Sequence, residues 1–223
     1  MTIAERALEL VADHAQIGLG SGRAAQAFVR ELGERVRSGA MRVCGVPTSE
    51  ETADLAREVG IPLSTLADVD ALDVTVDGAD EVDPNLDLIK GYGRAMVREK
   101  IVAASSRRLV ILVGEEKLVP QLGTRRKLPV EVLPFALPVC QRRLEELGCH
   151  PAVWTQNGRD GKTDNGNNIL DCDVEPIVDP ARLETALCAI PGVVGTGLFL
   201  GMADVVLVGN DDDLQLIEER SRQ

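Results

Sequence analysis

Short, almost wholly apolar runs alternate with amphipathic stretches along the first half of this chain, and that alternation restricts the fold more than any single motif does. Residues 41–46, 72–76 and 109–113 read as strands. Between the first glycines and these strands, Ala24, Ala25, Phe28, Val29 and Leu32 recur at helical spacing, and further helices are predicted at 49–59 and 93–104. The chain opens on another helical pattern, Ala4, Ala7, Leu8, Val11 and Ala12, preceded by Thr2 and Glu5 at the spacing of a capping box. Strands that are apolar on both sides must be covered on both sides, so the pattern predicts an α/β fold with a parallel sheet and helices on both faces. Residues 203–209 make one more such strand, and the chain is expected to return there to the first sheet.

The character changes near Gly123-Thr124-Arg125-Arg126-Lys127. Beyond it come a strand, a helix at 138–147, a strand at 152–155, an Asp164-Asn165-Gly166-Asn167 turn, a strand at 168–172 and a helix at 180–189. This order suggests an antiparallel α+β subdomain. The expected organisation is a sheet domain of residues 1–124 and 201–223, with a smaller α+β domain, residues 125–200, inserted before the last sheet elements. There is no internal repeat and no low-complexity segment.

Composition narrows the partners. At 223 residues, 44% hydrophobic and 27% charged, the chain has the make-up of a soluble globular protein with length enough for a sizeable core. Aromatic residues are only 2%, which leaves few rings for stacking single-stranded bases. A net charge of -12 disfavours nucleic acid and anionic membranes, so a phosphate ligand would depend on local amides and a few placed cations. Cysteines at 44, 140, 149, 172 and 188 form no Cys-x-x-Cys pair and no metal-ligand spacing, which fits reduced thiols. With no signal-like N-terminus and no run of 18 apolar residues, a cytoplasmic protein is expected.

Ligands of open α/β sheets sit at the carboxyl ends of strands, and two segments are expected there. Gly18-Leu19-Gly20-Ser21-Gly22 joins a predicted strand to a helix, where backbone donors and the helix dipole favour a phosphate; a tight turn without ligand would use the same glycines. The dinucleotide fingerprint is not met, because the third residue after Gly20 is Arg23, and a Walker lysine is absent. The second segment is Val76-Asp77-Gly78-Ala79-Asp80-Glu81-Val82-Asp83, followed by Lys90-Gly91-Tyr92-Gly93 and Arg98-Glu99-Lys100-Ile101. Crowded carboxylates repel one another, so the cluster invites a chemical reading.

Three readings compete for that cluster: a divalent metal site, a solvated turn, or acid–base chemistry on a polyol. Lys90, if it converges there, neutralises charge developing on an oxygen and lessens the need for a metal; otherwise it is a solvated surface residue. Glu99 projects among Ala95, Met96, Val102 and Ala103 on a helical wheel. Burial there would raise its pKa and suit a base near neutral pH, whereas an ion pair with Arg98 or a place at the rim would make it structural. His14 and His150 lie outside both segments and read as helix-end and loop residues.

Taken in order, these motifs resemble the ribose-5-phosphate isomerase A family, together with Leu128-Pro129-Val130-Glu131, Thr163-Asp164-Asn165-Gly166-Asn167 and Ile190-Pro191-Gly192-Val193-Val194. The resemblance runs over nearly the whole length. It implies a Rossmann-like α/β domain with an inserted ferredoxin-like α+β domain. It further implies interconversion of ribose 5-phosphate and ribulose 5-phosphate through an enediolate, in the non-oxidative pentose phosphate pathway, without metal or organic cofactor. By resemblance Glu99 is the general base, Asp77 handles hydroxyl protons, Asp80 positions the hydroxyls and Lys90 stabilises the oxyanion. Ser21, Gly22, Arg23, Ala24 and Lys117 match ligand-contacting positions, with Gly78, Ala79, Gly91, Tyr92 and Gly93 completing the substrate site. A homodimer or dimer of dimers is implied as well.

Two departures stand out. The family's usual Thr-Gly-Ser-Thr is Ser21-Gly22-Arg23-Ala24 here, so Arg23 either holds the phosphate bidentately or points away and leaves it to the amides. Tyr92 replaces a frequent third glycine, narrowing the site or lending its hydroxyl. A related isomerase acting on another sugar phosphate, or a non-catalytic phosphosugar sensor on the same scaffold, is the alternative; a sensor would bind without turnover.

Overall fold

The computed structural model describes residues 2–210 and 213–219. They divide into two compact units. The first runs to Ala79, includes Arg98–Lys117 and resumes at Met202; the second comprises Asp80–Val97 and Leu118–Gly201.

A six-stranded sheet forms the frame of the first unit, in the order Asp213–Glu219, Val205–Asn210, Leu109–Val113, Val74–Gly78, Gln16–Leu19, Cys44–Pro47. All neighbours run parallel except Asp213–Glu219, which closes one edge antiparallel. The sheet is doubly wound: the chain moves outward from Gln16–Leu19 to one side, then crosses to Val74–Gly78 on the other, so the order reverses between these two strands. Alternation decides what each face buries. Ile17, Leu19, Val74 and Val76 join a core with Ala7, Phe28, Val29, Leu32 and Ala56 from the helices Ile3–Leu8, Arg23–Arg37 and Glu50–Glu58. On the other face a Cβ at Gly18 would meet Thr75 Oγ1 at 1.9 Å and Val102 Cγ1 at 2.6 Å, so glycine lets the helix Met96–Ala104 approach. The capping box at Thr2 and Glu5 is formed in both directions.

The second unit carries a four-stranded antiparallel sheet, ordered Val193–Thr196, Leu128–Val132, Asn168–Asp173, His150–Val153. Helices Leu137–Glu146 and Pro180–Cys188 follow the first and third of these strands in the chain. Strand–helix–strand–strand–helix–strand in that spatial order is the split arrangement of ferredoxin-like domains. Val130, Val132, Leu144, Leu170 and Leu187 are buried in its core.

Several local expectations need correction. His150 begins a strand instead of lying in a loop. The helix expected from residue 93 starts at Met96, because Arg94 has φ 64°, which a right-handed helix cannot contain. Residues 80–97 and 118–124, drawn from sequence into the sheet domain, belong to the second unit. The cause is a small sheet in which Glu81–Val82 and Leu198–Phe199 flank Leu88–Ile89, with Ile89, Val119 and Leu122 packed into the second core.

Candidate active site

In the first unit the carboxyl ends of Gln16–Leu19 and Val74–Gly78 lie side by side at the point where the strand order reverses, and both candidate segments issue from them. Gly20 N–H donates to the Val76 carbonyl at 3.0 Å. Asp77 Oδ1 accepts from the Ser21 N–H at 3.0 Å and the Gly78 N–H at 2.7 Å, and Asp77 is 1% exposed. Buried carboxylates need such charge-assisted bonds, and two backbone amides also fix the direction in which this one points. Ser21 Oγ lies 2.7 Å from Thr48 Oγ1 and 2.9 Å from Ser49 Oγ, while Thr52 Oγ1 donates to the Gly20 carbonyl at 3.0 Å. Sequence reading missed Thr48, Ser49 and Thr52 as supports of the loop; the signal was there in Ser49 at a helix start with Thr52 three residues on.

Gly22 has φ 84° and caps the helix Arg23–Arg37 without any side-chain bond to its first-turn amides. Arg23 is exposed and Ala24 half-buried at this helix start. Lys117 is half-buried at the end of the short helix Glu115–Lys117. Glu99 is 3% exposed, and Met96, Val102 and Ala103 of its helix, with Ala95 just before it, are all buried. Arg98 reaches Glu50 at 2.8 Å, and this hydrogen bond and charge hold the Glu50 carboxyl below its usual range.

In the second unit the acidic segment is dispersed among separate tasks. Asp80 Oδ2 accepts from the Tyr92 N–H at 3.0 Å. Glu81 is fully buried and accepts from the Gly123, Arg125 and Arg126 N–H groups. Asp83 Oδ1 accepts from the Asn85 and Asp87 amides, closing a turn. Lys90 is 3% exposed, which corrects the surface reading, and its Nζ stands 5.4 Å from the Phe199 ring centroid. Gly91 has φ 121°, and a Cβ there would meet Met96 Sδ at 2.8 Å and Pro129 Cγ at 2.9 Å. Tyr92 and Gly93 are exposed. Among the described residues no group of three or more His, Cys, Asp or Glu is placed to hold a metal ion, and no helix is long and apolar enough to cross a membrane.

A doubly wound sheet with a buried carboxylate and a helix start without a side-chain cap at its switch point has the architecture of the open α/β proteins, whose ligands sit at that crevice and whose helix N-termini suit anions. The sequence profile of the family described as ribose 5-phosphate isomerase A (phosphoriboisomerase A) matches residues 44–213. A ribose-5-phosphate isomerase A of Roseiflexus castenholzii is 52% identical over 96% of this chain and 93% of its own. A solved ribose 5-phosphate isomerase A of Methanocaldococcus jannaschii superposes with a TM-score of 0.92 at 42% identity, covering 97% of this chain and 96% of that one. A D-ribose-5-phosphate isomerase in complex with phospho-erythronic acid superposes with a TM-score of 0.93 at 41% identity, with the same coverage. The chain belongs to the ribose 5-phosphate isomerase A family.

Proposed function

We propose that this protein interconverts D-ribose 5-phosphate and D-ribulose 5-phosphate, an aldose–ketose isomerisation that passes through an enediolate. Identity of 52% across nearly the whole chain carries the reading. The ligand of one structural neighbour adds chemical support, since phospho-erythronic acid is a phosphorylated polyol whose planar carboxylate resembles the enediolate end of the reacting sugar.

In this proposal Glu99 is the general base that carries a proton between C2 and C1 on one face of the open-chain sugar. Its burial on an otherwise apolar face of the helix supports that role. Asp77, aimed by the Ser21 and Gly78 amides, moves hydroxyl protons and assists ring opening. Asp80 positions the hydroxyls. Lys90 supplies positive charge to the oxygen that becomes negative in the enediolate, an interaction worth most where water is excluded. Ser21, Gly22, Arg23 and Ala24 receive the phosphate on the open amides of the helix start, with Lys117 as a second cation. Gly78, Ala79, Gly91, Tyr92 and Gly93 contact the rest of the sugar. The protein works in the cytoplasm as a homodimer or dimer of dimers, with a sugar phosphate as partner and neither nucleic acid nor membrane.

Proton NMR of ribose 5-phosphate with EDTA-treated protein in D₂O tests this. Ketose appearance with deuterium entering at the exchangeable carbon is the expected result. Binding without conversion would overturn it in favour of a sensor or another sugar.

A further inference from the structure

The roles above leave Glu81 unused, although its burial is complete. Removing a carboxylate from water is costly unless hydrogen bonds replace hydration. Three do so here: Gly123 N–H donates to Oε2 at 2.6 Å, and the Arg125 and Arg126 N–H groups donate to Oε1 at 2.7 Å each. The carboxylate thus occupies a backbone nest and ties down residues 123–127, whose three successive cations repel one another. From this loop Arg126 lies over the Tyr92 ring, its Cζ 5.2 Å from the centroid, and the Lys127 N–H faces the Tyr92 hydroxyl at 3.4 Å. Arg94 flanks the same ring at 5.6 Å, held by Asp171 at 2.6 Å and stacked on Trp154 at 4.8 Å. Tyr92 in turn donates its N–H to Asp80 Oδ2 at 3.0 Å.

We infer that Glu81 is a positioning residue: it fixes the 123–127 loop, the loop and Arg94 hold Tyr92, and the Tyr92 amide sets the direction of the Asp80 carboxylate. The inference rests on the reading of Asp80 as the group that places the sugar hydroxyls. It also gives the departure at Tyr92 a task, because a glycine at 92 would offer the amide but no ring for the two guanidinium groups to grip.

A double-mutant cycle on the full chain tests it, with kcat/KM for ribose 5-phosphate as the readout. Glu81→Gln keeps the shape but can accept from only one side of the nest, and Arg126→Ala removes the grip on the ring while sparing Glu81. Each is expected to lower kcat/KM, on the order of tenfold for Glu81→Gln, since small misplacements of a substrate-holding group cost that much or more. In an Asp80→Ala background either change should cost less than about twofold, because the group being positioned is already gone. Brief trypsin digestion should cut Glu81→Gln faster after Arg125 and Arg126. Equal losses in both backgrounds, or a loosened loop with unchanged kcat/KM, would overturn the inference while leaving Asp80 in its role. An Asp80→Ala protein of wild-type rate would overturn the reading of Asp80 and the inference with it. If Glu81→Gln does not fold, Arg126→Ala carries the same cycle.

Discussion

Gly20 packs so closely on Asp77 that a methyl group on its Cα would stand 2.3 Å from Asp77 Oδ1 and 2.5 Å from Asp77 Cα. Neither strand can withdraw, because Gly20 N–H is bonded to Val76 and Ser21 N–H to Asp77 itself. Gly20→Ala is therefore expected to destabilise the protein by about 1–3 kcal/mol, the usual range for overpacking, and to depress turnover by moving the carboxylate. Gly78→Ala is the control for stability: its Cβ would find nothing nearer than 3.7 Å, so its melting temperature should match the parent. Thermal melts of the two variants check the contrast. Equal melting temperatures for both would remove the claim that residue 20 must be glycine for space.

Glu99→Gln is close to isosteric, keeps the buried helix face filled and removes the carboxylate proposed to accept the C–H proton. Turnover should fall about 10²–10⁴-fold, the span that general-base catalysis contributes. Phospho-erythronic acid, titrated by calorimetry, should still bind within a few-fold of the parent, since a neutral amide leaves the phosphate and hydroxyl contacts alone. Near-parental turnover would take the base away from Glu99.

Much of the fold is legible because its signals are local. The apolar run at Leu109–Val113 is a strand over the expected residues, and the wheel that places Glu99 among Ala95, Met96, Val102 and Ala103 describes its burial. What escaped depends on distant partners or on backbone geometry. Glu81–Val82 and Leu198–Phe199 are two-residue strands, too short for any period, and they become a sheet only through Leu88–Ile89 between them. Glu81 looked like one more member of an acidic cluster because the amides that receive it lie 42 to 45 residues away. The left-handed Arg94 has no compositional signature, since the residue that adopts it is not a glycine or asparagine.

The five thiols should separate by burial. Cys188 is exposed and Cys44 half-buried, whereas Cys140, Cys149 and Cys172 are at most 1% exposed. Burial pushes the Cys140 thiol up, and Cys172 is raised further, first by its contact with the Cys149 thiol and then by burial, so neither offers a thiolate near neutral pH. Iodoacetamide at pH 7.5 is expected to modify Cys188 first and to leave Cys140 and Cys172 intact until denaturant is added. Peptide mapping after timed quenching checks the order; early labelling of Cys140 or Cys172 would contradict it.

Arg23 stands where the family's usual loop has a hydroxyl, at the first turn of Arg23–Arg37, and the proposed phosphate site there allows two ways of binding. The helix start has no side-chain cap, so its amides remain available to an anion whatever the guanidinium does. A charge-assisted bond from Arg23 would add about 1.5–3 kcal/mol, which corresponds to a rise in KM of about tenfold or more when it is removed. If the side chain holds the phosphate, Arg23→Ala should raise KM for ribose 5-phosphate by that factor with kcat little changed, because a contact made equally in ground state and transition state affects binding alone. Arg23→Ser should recover little of the loss, since a neutral hydroxyl cannot replace a bidentate cation. An unchanged KM in both variants would assign the phosphate to the backbone amides and leave Arg23 as an exposed helix residue.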